Sequence, residues 1–402
     1  MPSYNQAQFI EYSVRSVLSQ PVGSLFVADG GSRDGTVAIL KRLQAEFGSR
    51  LIFVSEPDQG PASAINKALR LAQDDIIGWL NSDDLYTPGT VEAVLAAFAQ
   101  HPDWQMLYGE ANHIDAFGQV IDRYPTLPPS IGIDAFRAGC FICQPTVFLR
   151  REVFDRVGLL DETIATAFDF EYWLRIFSAF PDQIGFIPQC LALSRLHDDC
   201  ITVRLREQVA VDGIRVIARH LGQAPITWLA TLTDELLSRF PFGASPPSVA
   251  DHVARLADSL KEELGEAAVS DFKHSLQQDS RLRLAQPDCY VEVFPDAWVG
   301  PQFQIRLGKW SRGARWLSLS CLNLFAHGPQ FSIALTTSWG RERKQAIPFL
   351  GPFKILIPLP AAPLTDAHID VLCSCHFVPQ LVDSTSDDAR QLCFKVLHYE
   401  IC

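Results

Sequence analysis

The sequence predicts an α/β fold for the first half of the chain. From residue 1 to about residue 194, short runs of apolar and β-branched residues alternate with segments whose apolar residues recur at helical spacing. Each predicted strand ends in turn-forming or acidic residues, and a helical pattern follows it. Ligands of open α/β sheets bind at the carboxyl ends of the strands, so these polar residues are expected to share one edge.

The predicted elements follow one another in a regular order. An apolar stripe of Ile10, Val14, Val17 and Leu18 indicates the first helix. The segments after it are a strand over 24–29, a helix over 36–47, a strand over 51–55, a helix over 62–72, a buried strand over 76–80 and a helix from about Pro88. This alternation is typical of a sheet with helices packed on it.

The second half of the chain shows two other patterns. Residues 201–283 are helical in character, with an apolar repeat at Val249, Val253, Leu256, Leu260 and Leu264. From Tyr290 onward the period changes to two, and six or seven short predicted strands indicate a β-sandwich of about 110 residues. We therefore predict an α/β domain over 1–200, a helical linker or subdomain over 201–284 and a β-rich accessory domain over 285–402.

Composition excludes several classes of protein. The chain has 402 residues, and its 34 basic and 46 acidic side chains give a formal charge of −12, which argues against a nucleic-acid partner. Its 10 cysteines are too dilute for a disulfide framework, so we expect buried thiols in a reducing compartment. The N-terminus lacks a basic and apolar leader pattern, and no apolar run reaches the roughly 20 residues of a membrane span. These features predict a cytoplasmic protein without a transmembrane segment; peripheral association with the inner face of the membrane stays open.

The strongest local cluster is Asn81-Ser82-Asp83-Asp84, directly after the predicted strand 76–80. Carboxylates at the end of a strand hold a divalent cation while leaving positions open for phosphate oxygens. The alternative is a plain N-cap for the helix that begins near Pro88. The cluster by itself favours neither interpretation.

Three further clusters end predicted strands or begin helices. Asp29 starts a glycine turn, Asp58 follows the strand 51–55, and Asp169 lies among aromatic residues at a helix start. Taken singly, the first is more often a simple strand-to-helix turn and the third is more often an N-cap. Their common order along the chain gives them more weight than any one of them has alone.

In that order the clusters resemble the family 2 glycosyltransferases, which have the GT-A nucleotide-sugar fold, over residues 1 to about 200. The segments that carry the resemblance are Pro2-Ser3-Tyr4-Asn5-Gln6, Ser16-Val17-Leu18-Ser19-Gln20, Asp29-Gly30-Gly31-Ser32, Ser55-Glu56-Pro57-Asp58-Gln59-Gly60, Ala64-Ile65-Asn66-Lys67, Gly78-Trp79-Leu80-Asn81-Ser82-Asp83-Asp84, and the stretch from Cys143-Gln144-Pro145 to Trp173-Leu174-Arg175. Several unlinked motifs in register are more specific than a single motif.

The resemblance implies a role for each matching position. The donor nucleotide is expected at Pro2, Ser3, Tyr4, Asp29, Asp58, Asn81 and Ser82, and a Mn²⁺ or Mg²⁺ ion at Asp83, Asp84 and His197. Asp169 falls on the general base of the family. The sequence departs from the family's D-x-D motif because Asn81 stands at its first acidic position, although an amide still binds a ribose or a metal-bound water. A surface role for His197 is an equally valid interpretation.

The resemblance implies an inverting glycosyltransferase that moves a sugar from a nucleotide donor, a UDP-sugar first of all, to a glycan or lipid-linked acceptor in the synthesis of a cell-surface polysaccharide. A cation stabilises the leaving diphosphate, and a carboxylate base activates the acceptor hydroxyl. Two alternatives remain: a nucleotide-sugar or carbohydrate-binding protein without catalysis, and a nucleotidyltransferase of similar architecture.

The start of the chain carries one further expectation. In the family the motif at Pro2-Ser3-Tyr4-Asn5 follows the first β-strand of the parallel sheet, whereas only Met1 precedes it here. We therefore expect the first strand to be missing and the functional protein to carry about 5 to 12 further residues rich in Val and Ile.

Overall fold

A computed structural model shows how these segments are arranged. It describes residues 1–402 apart from 239–245, 284, 287, 288, 295, 309, 311–313, 325–330, 349, 362, 363, 365, 380–385 and 387. The described residues form two compact units. One comprises Met1–Trp228 with Glu263–Gly265, and the other comprises Leu229–Glu262 with Glu266–Cys402.

The strands of the first unit form two sheets. Three parallel strands make up the first sheet in the order β1-β2-β3: β1 (Pro2–Ser3), β2 (Leu25–Asp29) and β3 (Leu51–Ser55). The second sheet contains β4 (Ile76–Gly78), β5 (Leu85–Tyr86), β6 (Met106–Ile114), β7 (Val120–Arg123), β8 (Phe148–Arg150) and β9 (Ile184–Arg195). Its order is β4-β8-β6-β9-β5, with β7 on β6, and only the β6–β9 pair in it is parallel.

Helices follow most of these strands. They are α1 (Ile10–Leu18), α2 (Thr36–Phe47), α3 (Pro61–Leu71), α4 (Thr90–Gln100), α5 (Arg151–Val157), α6 (Phe168–Ala179), α7 (Ile201–Arg204) and α8 (Arg206–Leu221). The structure confirms the predicted α/β class, and α2 and β3 coincide with their predicted bounds. The apolar stripe of α1 is buried as predicted, with Ile10 and Val14 fully inaccessible. Gly35, which precedes α2, has a φ of 105°, a conformation that favours glycine.

One strand is shorter than predicted. β4 ends at Gly78, although Trp79 and Leu80 are buried as an apolar strand requires. The carbonyl oxygen of Trp79 accepts a hydrogen bond from Gln144 Nε2 at 2.6 Å, so a side chain satisfies the backbone there. The chain can therefore leave the sheet two residues early and begin the turn that carries Asn81.

The second unit combines helices with two antiparallel sheets. The helices are α9 (Thr227–Ser238, which begins in the first unit), α10 (Pro246–Ser259), α11 (Lys261–Leu264, which ends in the first unit), α12 (Glu266–Gln278) and α13 (Ser280–Arg283). The strands are β10 (Ala285–Gln286), β11 (Cys289–Val291), β12 (Gln302–Leu307), β13 (Trp316–Asn323), β14 (Ser332–Thr337), β15 (Glu342–Ala346), β16 (Gly351–Pro358), β17 (His368–Cys373) and β18 (Lys395–Ile401). The sheet orders are β10-β11-β12-β17-β14-β15 and β16-β13-β18.

Both sheets of the second unit contribute to one core, as a β-sandwich requires. Ile305 and Val371 of the first sheet and Leu319 and Ile355 of the second are fully buried in the same cluster. Sequence patterning missed β15 because all five of its residues are exposed or half-buried, which leaves no apolar alternation to detect. It also missed the short strands β10 and β11.

Two features of the described chain bear on the compositional predictions. None of its helices combines the length and apolarity needed to cross a bilayer. The ten cysteines, all among the described residues, form no disulfide; Cys402 is exposed and the others are buried or half-buried. The expectation of buried thiols holds for five of them and fails for Cys402.

Candidate active site

The carboxyl ends of the three parallel strands are joined by hydrogen bonds. Gly30 N donates to Ser3 O at 2.8 Å, and Glu56 N donates to Asp29 O at 2.9 Å. Asn5, with a φ of 52°, receives Arg33 N on its side-chain oxygen at 2.9 Å. The loops after β1, β2 and β3 therefore form one rim, at the edge where the sequence predicts a ligand.

The carboxylate of Asp29 organises this rim. Its Oδ2 atom accepts hydrogen bonds from Gly31 N at 3.2 Å, Ser32 N at 3.0 Å and Ser55 Oγ at 2.6 Å. Its Oδ1 atom accepts one hydrogen bond, from Ser32 Oγ at 2.5 Å. Because an ionised carboxylate offers about four lone-pair positions, two on each oxygen, Oδ1 retains an acceptor position.

Two of the other residues predicted for the nucleotide, Ser3 and Asp58, lie close to Asp29 or its turn. Ser3 pairs with Asp29 across the sheet, and its buried Oγ atom has no hydrogen-bond partner among the described residues. Pro2 is buried beside it, whereas Tyr4 is 61% exposed. A side chain at Gly30 would place its Cβ 2.9 Å from Asp58 Oδ2, so Gly30 lets Asp58 approach the Asp29 turn.

The turn after β4 is held by its own side chains. Asn81 Oδ1 accepts a hydrogen bond from Trp79 Nε1 at 3.2 Å, and Asn81 Nδ2 donates to Asp84 Oδ2 at 3.3 Å. The backbone oxygen of Ser82 accepts a buried hydrogen bond from Ser13 Oγ of α1 at 2.9 Å. Helix α1 thus fixes the position of the turn.

The two neighbouring acids of the turn have different environments. Asp84 is 3% exposed, and its Oδ1 atom accepts a hydrogen bond from Arg195 N of β9 at 2.8 Å. Burial, assisted by the nearby charge of Asp83, raises the pKa of Asp84 well above its usual range. The carboxyl group of Asp84 therefore anchors the turn to β9.

The side chain of Asp83 contacts His197. The His197 Nε2 atom lies 3.0 Å from Asp83 Oδ2, and the imidazole packs on the ring of Phe9 with centroids 4.9 Å apart. Carboxylate and imidazole groups both ligate divalent cations. Among the described residues, no group of three or more His, Cys, Asp or Glu side chains forms a metal site, so Asp83 and His197 offer two protein ligands.

Asp169 lies in the first turn of α6. Its Oδ1 atom accepts a hydrogen bond from Phe170 N at 2.8 Å, and burial raises the pKa of the carboxyl group to about 6. The ring of the preceding Phe168 stacks on Trp79 at 5.9 Å, and Trp79 binds Asn81. Two packed aromatic rings therefore connect Asp169 with the turn that carries Asp83.

Sequence reasoning assigned no role to Arg195, which links several parts of the site. It is 6% exposed, and besides its contact with Asp84 it donates from Nε to the backbone oxygen of Asp83 at 2.8 Å and from Nη1 to that of Asp115 at 2.9 Å. The only signal in the sequence is its position two residues before His197. Because its acceptors come from distant segments, no local pattern reveals them.

A second set missed by sequence reasoning supports α6. Glu171 is 3% exposed; its Oε2 lies 2.8 Å from Arg175 Nη2 and its Oε1 lies 3.0 Å from His220 Nε2 of α8. Arg175 also donates to the backbone oxygens of Val157 and Leu159, the latter at 2.9 Å. This buried ionic cluster fixes the helix that presents Asp169.

Comparison with known proteins finds similarity over the first part of the chain. Residues 1–158 match the model of glycosyl transferase family 2. The chain is 30% identical over 183 residues to chondroitin synthase of Escherichia coli, which is 45% of this chain and 26% of that protein. It is 24% identical over 252 residues to an uncharacterized glycosyltransferase of Rickettsia conorii, which is 58% of this chain and 38% of that protein. The chain thus spans well under half the length of these two relatives.

A shorter relative is matched over more of its length. A PGL/p-HBAD biosynthesis glycosyltransferase of Mycobacterium tuberculosis is 28% identical over 183 residues, 44% of this chain and 68% of that protein. Among solved structures, TarS 1-349 of S. aureus in complex with UDP has a TM-score of 0.47 and 15% identity, and the match covers 78% of this chain and 96% of that one. The mannosyltransferase PcManGT from Pyrobaculum calidifontis in complex with GDP-Man and Mn²⁺ has a TM-score of 0.43 and 19% identity, over 70% of this chain and 80% of that one.

Proposed function

We propose that this chain, whose residues 1–158 match the model of glycosyl transferase family 2, is an inverting glycosyltransferase acting in polysaccharide or glycoconjugate synthesis. Its donor is a nucleotide-sugar, and its acceptor is a hydroxyl of a glycan or lipid-linked glycan. The observation that carries the proposal is the set of partners at three acids: Asp29 at the end of β2, Asp83 in the turn after β4, and Asp169 in the first turn of α6. Each belongs to a different segment, and each has partners suited to a distinct chemical task.

Asp29 and Ser3 suit the nucleotide base. Four hydrogen-bond donors of the chain hold the Asp29 carboxylate in place and leave one acceptor position on Oδ1. The imide N–H of uracil or thymine and the ring N1–H of guanine fit such an acceptor, whereas cytosine has no N–H at the equivalent ring position. The buried Ser3 Oγ, which lacks a partner within the described part of the chain, suits a second polar contact. We therefore assign UDP-, dTDP- or GDP-sugars, with UDP first, and exclude CDP-sugars.

Asp83 and His197 suit the diphosphate. Their side chains lie 3.0 Å apart and would together hold a Mn²⁺ or Mg²⁺ ion, with donor phosphate oxygens completing the coordination. Such a cation, when bound, stabilises the negative charge that develops on the departing diphosphate. Asp84 positions this pair because its carboxyl group accepts a hydrogen bond from Arg195 N of β9. Asn81 has both side-chain polar atoms bonded within the turn and therefore positions it.

Asp169 suits the acceptor. As the acceptor oxygen attacks the anomeric carbon and the new C–O bond forms, the bond from that carbon to the β-phosphate oxygen breaks, and its electron pair leaves with the nucleoside diphosphate. The acceptor proton passes to the Asp169 carboxylate. A pKa of about 6 leaves this group ionised at neutral pH and basic enough to accept a proton. A single displacement inverts the anomeric configuration.

A pair of isosteric variants tests the assignment. Asp83→Asn should abolish Mn²⁺-dependent binding of UDP-sugars, because a neutral amide is a weak ligand for a hard cation. Asp84→Asn, at the adjacent residue, is the control. The Oδ1 atom of the new side chain can still accept the hydrogen bond from Arg195 N, so donor binding should persist. Calorimetric titration with UDP-, GDP- and CDP-sugars, with and without Mn²⁺, measures both effects.

The outcomes separate the candidate functions. Normal Mn²⁺-dependent donor affinity in Asp83→Asn contradicts the metal site, and tight binding of a CDP-sugar contradicts the role of Asp29. Donor binding without transfer or hydrolysis on any acceptor favours a non-catalytic binding protein. Release of pyrophosphate from a nucleoside triphosphate favours a nucleotidyltransferase.

A further inference from the structure

A cavity of about 250 Å³ lies within the second unit, beside strands β11 and β12 of its six-stranded sheet. We call this cavity the β12 pocket. The two strands and the segment that joins them form most of its wall, while α9 contributes Leu237 and α13 contributes Arg281. All the residues that line the pocket belong to the second unit, whereas Asp29, Asp83 and Asp169 belong to the first.

The guanidinium group of Arg281 is fixed by two carboxylates. Its Nη2 atom lies 2.8 Å from Asp234 Oδ1 of α9 and 2.6 Å from Asp279 Oδ2, directly before α13. The side chains of Arg281 and Asp279 are 15% and 10% exposed. Charge-assisted contacts of this kind hold a guanidinium group in one orientation. The pocket therefore has a positioned cationic donor on its helical side.

The polar groups on the strand side are also held in place. Arg306 Nε donates to Gln304 Oε1 at 2.6 Å, and Gln304 Nε2 donates to Asp370 Oδ1 of β17 at 2.8 Å. The backbone nitrogen of Gln304 donates to Glu292 Oε2 at 2.8 Å. Gln304 and Asp370 do not line the pocket themselves. Residues outside the pocket thus orient the arginine and the carboxylate inside it, as a preorganised binding site requires.

The hydroxyl group of Tyr290 lies among these charges. Tyr290 pairs with Arg306 across the two strands. Burial raises the pKa of Tyr290, and the nearby carboxylate of Glu292 adds to this, whereas the guanidinium groups of Arg281 and Arg306 oppose it. One small space therefore holds cationic donors, an anionic acceptor and a phenol that can both donate and accept.

The remaining wall of the pocket is apolar. Leu237, Val293 and Phe303 are buried, and the ring of Phe294 is half-buried. Pockets that bind small molecules combine such an apolar lining with a few polar groups in fixed positions. The β12 pocket shows this combination.

A neutral sugar ring matches the chemistry of the pocket. Each of its hydroxyl groups donates and accepts, so it can contact a guanidinium group and a carboxylate at once, while its C–H groups pack on the apolar wall. An anion would be repelled by Glu292, and a cation would be repelled by Arg281 and Arg306. The volume lies near the lower end of small-molecule pockets, about 300 Å³, which suits a ligand of about one ring.

We propose that the β12 pocket binds a neutral pyranose ring, either as a free sugar or as one unit of a glycan chain. The second unit then has a carbohydrate-binding function of its own, in addition to the transfer reaction proposed for the first. The inference stands on the pocket alone and does not depend on the proposed function. A chain that is inactive in transfer should bind the same sugar.

Calorimetric titration of the full chain tests the ligand class. The probes are glucose, galactose, mannose and N-acetylglucosamine, with the trisaccharides maltotriose, mannotriose and chitotriose. We expect at least one of them to bind at millimolar concentration or below. The uronate and the amino sugar with the same ring should bind at least about tenfold more weakly than the neutral sugar. Tighter binding of a trisaccharide identifies a glycan chain as the ligand, and equal binding identifies the single ring.

Two results of this titration would overturn the proposal. The first is that no neutral probe binds at millimolar concentration. The second is that a charged form binds as tightly as its neutral parent, which would mean that the mixed charges of the pocket do not select the ligand.

Gly300 provides a matched pair of variants that tests the location. Its φ is outside the left-handed region, and a Cβ atom there would lie 3.6 Å from Gln302 O, an ordinary contact distance. Gly300→Phe should fill the pocket and weaken sugar binding by about tenfold or more, whereas Gly300→Ala should change it by less than about twofold. Asp83→Asn should bind the sugar as the wild type does. Unchanged affinity in a folded Gly300→Phe variant, or loss of affinity in Asp83→Asn, overturns the proposal.

Amide exchange in the wild type decides the location if Gly300→Phe does not fold. Saturating amounts of the sugar that binds should slow the exchange of Tyr290, Glu292 and Gln302 by at least about threefold. Slower exchange in the first unit alone would place the sugar there and overturn the proposal.

Discussion

Opposing electrostatic effects act on the pKa of the Asp169 carboxyl group. The N-terminus of α6 favours the ionised form, and so does the hydrogen bond from Phe170 N, whereas burial disfavours it. Burial prevails, and the pKa rises to about 6. A carboxylate in this condition is a better general base at neutral pH than an exposed one, because its affinity for a proton is higher.

Replacing Asp169 by Asn tests that role. The amide keeps the size of the side chain and an acceptor for Phe170 N but cannot take up a proton. We expect the rate of transfer at saturating donor and acceptor to fall by about 10² to 10⁴, with donor affinity unchanged. Steady-state kinetics beside donor titration measure both, and normal turnover in a correctly folded variant contradicts the assignment.

The same substitution should change the pH dependence of stability. The pKa of Asp169 is raised from 3.8 to about 6 on folding, so between those values the native state binds more protons than the unfolded state and stability falls as pH rises. Above pH 6 the buried, ionised Asp169 carboxylate lowers the free energy of unfolding of the wild-type protein by its full amount, about 1 to 3 kcal/mol. Asp169→Asn should therefore melt above the wild type at pH 7.5, and the difference should shrink towards pH 4. Melting curves across this range are the measurement, and a difference that grows towards acid pH contradicts it.

Helix α6 owes its position to interactions that do not involve Asp169. Glu171 on its first turn binds Arg175 one turn later and His220 on α8, in surroundings that exclude most water. Removing one member of a buried ionic cluster leaves the others without a counter-charge, which costs more than the loss of an exposed pair. The element that presents the candidate base therefore depends on residues far from it in sequence.

Glu171→Gln should destabilise the first unit by about 3 kcal/mol, since it removes the charge and keeps the shape. The matched control is Glu46→Gln on α2, whose partner Arg15 is also an arginine but whose side chain is 46% exposed; its stability should not change measurably. Urea unfolding followed by tryptophan fluorescence compares the two. Equal effects of both substitutions would show that burial of Glu171 has no energetic consequence.

At the scale of the whole molecule, thiol reactivity is a direct check on the described fold. The ten cysteines, all within the part of the chain that the structure describes, form no disulfide, and Cys402 is the exposed one. Burial raises the pKa of Cys140 to about 12 and keeps it protonated at neutral pH, which suppresses its reactivity as a nucleophile.

A native titration with a thiol reagent should therefore show one fast equivalent and much slower reaction of the others. Cys402→Ser should remove the fast phase, and Cys143→Ser, at a buried position, should leave it unchanged. In denaturant ten equivalents should react in the wild type. Several fast equivalents in the native protein would mean that the buried thiols are accessible.

The sequence by itself determined the class of each half of the chain and most elements of the first unit. Strand and helix periodicities are local properties, so α2 and β3 could be predicted to the residue. The motifs around Asp29, Asp83 and Asp169 were recognisable for the same reason, because each lies in one short segment.

Only the tertiary structure decided how neighbouring residues differ in role. Asp83 and Asp84 are equivalent in sequence, yet one meets His197 and the other is buried against Arg195, because partners more than a hundred residues away in the chain set their environments. The contact of Glu171 with His220 on α8 likewise joins segments that are distant in sequence. Burial and long-range pairing depend on the whole packed fold, and no local pattern of residues encodes them.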